Sequence, residues 1–200
     1  RAELVPFLDT ANYQTAENSV PIVKPLYYEY PEKNEAYQIK NEYIFSSNML
    51  VSPITQPHDS ATQLGHSKTW LPEGQWVDYF THLVYEGNTV LKTYRSINEM
   101  PVFVRKGSLI VTNPNYMEDI DHLPETLKVT VFPGQNCDYT LVEHQEGRIA
   151  KTKFSWNENQ GKLTWKVTGD KEIVPANRKI EIKVVQYKLD DVFVKAHQVL

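Results

Sequence analysis

Two periodicities divide the chain. Near the N-terminus Leu4, Phe7, Leu8 and Ala11 recur at helical spacing, which predicts one helix from residue 1 to about residue 15. Pro6 falls early in it, where a missing backbone N–H costs little. Asn18-Ser19 breaks the pattern, and Val20 to Pro31 follows as an aromatic-rich strand bounded by prolines. A helix and then one strand is the rhythm of a βα barrel, caught at its last unit. From Tyr43 onward the period becomes two. Tyr43 to Pro53 reads as a buried strand pair or a bulged strand, and Gln56 to Ser67 as a long polar loop. Short strands recur near 68–71, 75–80, 89–94, 101–105 and 108–112, with tight turns at Pro72-Glu-Gly74 and Arg105-Lys-Gly107. No helical pattern intervenes, so an antiparallel sandwich is expected over 41–115.

Asn113 to Pro124 has the composition of a linker: Asn-Pro-Asn, an acidic cluster, then proline. Beyond it the alternation is clean. Leu127, Val129 and Val131 share one face; Leu163, Trp165 and Val167 another; Ile180, Ile182 and Val184 a third. Regularly spaced turns separate these strands, which predicts a second, self-contained sandwich over 123–200. The expected fold class is therefore mainly β: two consecutive antiparallel β-sandwiches preceded by a short helix–strand segment over residues 1–40.

Composition narrows the function. Twelve Tyr, seven Phe and four Trp, with many β-branched residues, favour strands over helices. A net charge of −4 argues against nucleic-acid and membrane partners. The single cysteine, Cys137, allows no internal disulfide and no thiol metal cluster; it fits a reducing, cytoplasmic setting. No apolar stretch approaches the length of a membrane span and no signal peptide opens the chain. The first residue is Arg1 rather than Met, so the chain reads as excised from something longer.

Four landmarks carry a family resemblance. They are Arg1-Ala-Glu-Leu-Val-Pro-Phe-Leu8; Lys24-Pro-Leu-Tyr-Tyr-Glu-Tyr-Pro31; Tyr43 to Ile54; and the bipartite run Thr69 to Phe80 with Met100 to Ile110. In that order and spacing they resemble the end of the catalytic barrel and the segment after it in glycoside hydrolase family 31, the α-glucosidase and α-xylosidase family. There, a strand ending in a Leu-Pro-x-Gly-x-Trp turn pairs with a later Ile-Pro-Val-Phe-Val-Arg-x-Gly-Ser strand. Two departures stand out: Ser46-Ser47-Asn48 replaces the usual Gly-Asp, and Leu141-Val-Glu-His-Gln-Glu-Gly147 replaces a Leu-Tyr-Glu-Asp-Asp-Gly run. The resemblance implies a retaining α-glycosidase as the parent, whose catalytic aspartates lie upstream in motifs that this sequence lacks. Retention needs two carboxyl groups about 5 Å apart. A complete barrel alone takes about 250 residues. The implied role is thus non-catalytic support of the barrel, with the rest of the parent glycosidase as partner and an oligosaccharide as the parent's substrate. The alternative is a carbohydrate-binding accessory module. Cut off from the other barrel elements, residues 1–40 are expected to pack on the proximal sandwich, to swap between chains or to mediate self-association.

The remaining candidates read as structural. Glu29, Asp78 and Asp190-Asp191 offer carboxylates without a dyad. His58, Asp59 and His66 share one loop, and Glu118, Asp119, Asp121 and His122 the linker. Neither group has the ligand spacing of a zinc or calcium site, so no metal and no cofactor is expected. Cys137 reads as an inert thiol at a strand edge. Among the tryptophans, Trp76 and Trp165 alternate with strand neighbours and are assigned to the core. Trp156, in the polar stretch Ser155 to Gly161, is the one kept as a candidate exposed sugar contact.

Overall fold

A computed structural model describes residues 2–117 and 122–187. In chain order its elements are α1 (Val5–Asn18), β1 (Val23–Pro25), α2 (Leu26–Glu29), α3 (Glu35–Gln38), β2 (Tyr43–Phe45), β3 (Met49–Val51), β4 (Gly65–Leu71), β5 (Gln75–Asp78), β6 (Val84–Glu86), β7 (Thr89–Arg95), β8 (Val102–Arg105), β9 (Ser108–Thr112), β10 (Thr126–Phe132), β11 (Cys137–Gln145), β12 (Arg148–Asn157), β13 (Lys162–Gly169) and β14 (Lys179–Val184). The chain forms two compact units. The flanking unit takes residues 2–22 with the described part of Gly107–Val185, and the central unit takes Val23–Lys106.

In the central unit a six-stranded sheet runs β1-β2-β3-β8-β5-β6, and β4 pairs with β7 in a second sheet. All of these pairings are antiparallel. Ile44, Leu50, Trp76 and Phe103 from the larger sheet share one core with Trp70, Leu71 and Leu91 from the smaller. The two halves of the bipartite run do pair, with Trp76 opposite Arg105 and Val77 opposite Val104, but through β5, which follows the turn, and not through β4, which ends in it and pairs with β7. The turn at Pro72–Gly74 does not close a hairpin, however, because β4 and β5 belong to different sheets. Ser46, the position at which the family pattern suggests Gly, adopts a left-handed φ of 57° in the turn between β2 and β3.

The region expected to be a barrel remnant is built differently. β1 is only three residues long and pairs antiparallel with β2, at the edge of its sheet. Leu26-Tyr-Tyr28, read as strand, belongs to α2. The cause is local: Pro25 has no N–H to continue a ladder, and its φ of −61° leads directly into a helical turn. Leu26, Ala36 and Ile39 then join the core.

In the flanking unit β11-β12-β13 form an antiparallel sheet, and β14-β10-β9 form a second. Within the latter, β10 and β14 run parallel, a departure from the purely antiparallel expectation. Leu109 and Val111 of β9, Leu127, Val129 and Val131 of β10, and Leu141 and Phe154 from the facing sheet make one core. β9, expected to end the proximal sandwich, thus pairs with β10 instead. The chain passes between units at Lys106–Gly107, not within 113–124. Gly107 makes that turn possible: its φ is 74°, and a Cβ there would lie 2.2 Å from the Gln135 side chain.

The predicted helix forms, but it packs on β9 and β11 of the flanking unit, not on the central strands. Phe7 stacks on Tyr139 with centroids 5.9 Å apart, and Tyr13 sits against His144 at 5.3 Å. The buried Thr10 hydroxyl accepts from Val142 N–H at 2.9 Å and faces the Val142 carbonyl at 3.5 Å. A helix side chain therefore replaces the missing neighbour on the free edge of β11. Residues 118–121 and 188–200, which include Glu118, Asp119, Asp121, Asp190 and Asp191, lie outside the described residues.

Candidate functional site

The acidic candidates of the central unit are engaged in structural contacts. Asp78 is fully buried and ion-paired with Arg95, and one of its oxygens accepts from Phe80 and Thr81 N–H at 3.0 Å each. It therefore holds the turn after β5. Glu29 pairs with the buried Lys24 across α2. Asp59 accepts from the N–H groups of Ala61 and Thr62 and from the Thr62 hydroxyl. Those bonds hold its carboxyl below the usual range, the Thr62 backbone bond most of all. His66 lies apart on β4 against the Tyr94 ring. Among the described residues no group of three or more His, Cys, Asp and Glu side chains is arranged to hold a metal.

In the flanking unit Glu143 is buried and bound by Arg178 through both oxygens, at 2.9 and 3.0 Å. Such a pair orients β11 and resists loss of either partner. His122 lines a cavity of about 450 Å³ together with Asp9 and His144. Burial raises the Asp9 carboxyl, and the neighbouring His144 opposes that shift. Cys137 is half-buried, and burial with the nearby Asp138 and Glu158 carboxylates pushes its thiol up to about 11. At neutral pH it is protonated and a poor nucleophile.

The tryptophans exchange their expected places. Trp156 is only 6% exposed, packs in the flanking core and donates its indole N–H to Glu158 at 2.6 Å. It alternates with Phe154 and Thr152 on the inner face of β12, so its ring is not open to stacking on a sugar. Trp165, assigned to the core, is 48% exposed. It shares the inner face with Phe154, but β13 is an edge strand and leaves the ring half uncovered. Trp70 and Trp76 are buried in the central core; the Trp76 indole donates to the Pro72 carbonyl at 2.8 Å and lies under the Arg105 guanidinium at 4.6 Å.

The outward face of the β11–β12–β13 sheet is an open polar surface with two depressions. Register puts Asp138, Ser155 and Thr164 in one row, Thr140, Lys153 and Lys166 in the next, and Lys151 beside Thr168 in a third. Two adjoining depressions, of about 290 and 410 Å³, share Ser155 and Thr164, and the larger is bordered by Trp165. Lys153 pairs with Asp138 at 2.7 Å. The Lys153 bond, then that of Ser155, holds the Asp138 carboxyl below its ordinary range. Strand alternation indicates an outward polar face, but nothing in it marks which strand is the sheet edge. That is why Trp165 was placed inside.

Comparison with known proteins supplies the larger frame. Residues 19–110 match the Glycosyl hydrolase family 31 C-terminal domain. Alpha-glucosidase 2 of Bacillus thermoamyloliquefaciens is 32% identical over 110 residues, which are 55% of this chain and 13% of that protein. The alpha-xylosidase of Saccharolobus solfataricus is 23% identical over 172 residues, 82% of this chain and 23% of that protein. A family 31 dextranase of Flavobacterium johnsoniae, solved with glucose, superposes over 92% of this chain and 24% of its own with a TM-score of 0.78 at 23% identity, a likeness of fold. The chain thus spans less than a quarter of the length of each of these relatives.

Proposed function

The chain belongs to glycosyl hydrolase family 31, whose C-terminal domain it carries, and from that premise we propose that it is the non-catalytic C-terminal β-region of a retaining α-glycosidase. In this reading its partner is the catalytic barrel of the parent, which acts on an α-glucoside or α-xyloside. The observation that carries the reading is the use made of its buried acids. The three most deeply buried carboxylates among the described residues each serve local structure: Asp78 and Glu143 are bound by an arginine and hold a turn and a strand, and Glu42 accepts from the Trp70 N–H of β4, with neither of the others beside it in a pair. A retaining site needs two carboxyl groups facing one substrate, one of them free to carry a proton. Support of the barrel asks instead for sheets closed over well-packed apolar cores, and both units have them.

Purified chain should show no hydrolysis of p-nitrophenyl α-glucoside or α-xyloside above buffer. Supplied in trans to a family 31 barrel lacking its own C-terminal region, it should raise the soluble, active yield of that barrel. Turnover by the chain alone that survives repurification and disappears with one substitution in it would overturn the reading. A second reading, a carbohydrate-binding module, draws on the half-exposed Trp165 beside a polar depression.

A further inference from the structure

We propose that the outward face of the β11–β12–β13 sheet binds an anionic polysaccharide. The inference takes from the preceding section only that the chain works among carbohydrates. The chain as a whole is acidic, with a net charge of −4. This face runs against that balance. Its rows present Lys153 and Lys166, with Lys162 at the end of β13 beside them and Lys151 at the margin, its ammonium 5.0 Å over the Tyr13 ring, against a single carboxylate, Asp138. Lys153 and Lys166 stand directly opposite each other across β12 and β13, a like-charge placement that costs stability in a sheet. Asp138 offsets only Lys153; among the described residues no carboxylate pairs with Lys162 or Lys166.

Between the lysines the lining is hydroxyl and amide: Thr140, Ser155, Thr164 and Thr168 in the larger depression, Asn136 and Gln160 in the smaller. Such groups both donate to and accept from sugar hydroxyls. Trp165, on the inner face of the edge strand β13, leaves its ring half exposed beside the larger depression, so a sugar unit that reaches past the sheet edge can stack on it. Lysine rather than arginine fits the task, since a mobile point charge follows carboxylate or sulfate groups whose spacing varies along a flexible polymer. A lipid surface would call for exposed apolar side chains to insert, and this face has hydroxyls in their place.

The test is biolayer interferometry of the full chain on immobilised polygalacturonate, dextran sulfate, neutral dextran and duplex DNA at matched load. Polygalacturonate, dextran sulfate or both should bind, the pair identifying whether carboxylate or sulfate is the preferred anion. Neutral dextran should not bind, and DNA should bind more weakly than the better acidic polysaccharide. The Lys153→Gln/Lys166→Gln variant should lose about tenfold in affinity, and binding should weaken with added salt. Trp165→Ala should weaken polysaccharide binding and leave the residual DNA signal unchanged. Should the double variant misfold by circular dichroism, Lys166→Glu on the exposed edge strand gives the same reading alone. Binding of DNA or neutral dextran as tight as that of the acidic polysaccharides overturns the proposal, as does unaltered affinity in the lysine variants or no binding at about 50 mM salt. Any of these outcomes leaves the supporting role standing, whereas α-glucoside turnover by the chain alone would remove that role and leave this face as it is.

Discussion

The two units are closed by different means. In the central unit the strands that share a core come from one stretch of 84 residues, Val23–Lys106, and its short helices lie within the same stretch. In the flanking unit, residues 107–185 build two sheets, and a helix from the first 22 residues caps the free edge of one of them. The first unit can assemble from chain neighbours; the second needs a contact across 132 residues. Proximity in sequence therefore says little about which unit a segment stabilises. The N-terminal helix is next to the central unit in sequence and belongs to the other.

The largest effect should come from removing that helix. Deletion of residues 2–18 takes away the Phe7–Tyr139 stack and the Thr10 cap, and uncovers apolar surface on β9 and β11. A buried phenylalanine contributes about 2–3 kcal/mol and an orphaned buried N–H costs about 1–3 kcal/mol. Together with the rest of the helix face, that approaches the whole stability of a small domain. Amide exchange in β9 and β11 should lose its protection, well beyond any loss in β2, β3 and β8. A fragment beginning at Leu123, which lacks both α1 and β9, should likewise show no cooperative melting. Unchanged protection of β11 after the deletion would show that the helix is an appendage.

A single methyl group should break the central unit by a local route. Gly87 follows β6, and its N–H donates to the Gly74 carbonyl at 2.7 Å. A Cβ at that position would lie 2.0 Å from the Pro72 carbonyl oxygen and 2.7 Å from that of Gly74. Both obstacles are backbone atoms of a tight turn and cannot rotate away. Gly87→Ala should cost about 4 kcal/mol, read as a fall in the urea midpoint of the Trp76 environment. A loss within experimental error would mean that the Pro72–Gly74 turn yields easily.

These contrasts mark how far the sequence could be read. Alternation located many of the strands after Tyr43, because burial on one face writes a period of two into the residues themselves, but it missed the short β6 and left the polar start of β4, residues 65–67, in a loop. It placed Leu127, Val129 and Val131 inside, and all three are fully buried. What alternation does not encode is the partner of each strand. The run Ser108 to Thr112 is equally apolar whether it closes one sheet or opens the next, and the long linker-like stretch after it drew the boundary to the wrong side. The tryptophans failed for the same reason. Trp165 and Trp156 both face inward, yet only the strand order decides that one lies at an edge and the other in the middle. The polar residues around Trp156 point outward from the same strand and say nothing about its ring.

The smallest effect, and the one most specific to the central unit, concerns Glu42. The residue is only 3% exposed. One oxygen accepts from Trp70 N–H at 3.0 Å, while the other is buried without a partner. Burial raises the carboxyl to about 8, against the opposing pull of the Trp70 bond. The unfolded group titrates near 4.5, so between about pH 4.5 and 8 the folded chain holds a proton that the unfolded chain has released. Stability from this residue is then fully present at low pH and falls as pH rises through 8. Wild-type chain should lose at least about 2 kcal/mol between pH 5 and pH 9 through this group, and Glu42→Gln should remove that slope. At pH 5 the glutamine offers no advantage, since its amide N–H groups find no acceptor where the second oxygen now lies. The two stability curves should therefore converge or cross toward acid. Urea unfolding of both proteins across that range decides the matter: parallel curves would mean that water or a shift of β4 already relieves the buried carboxyl.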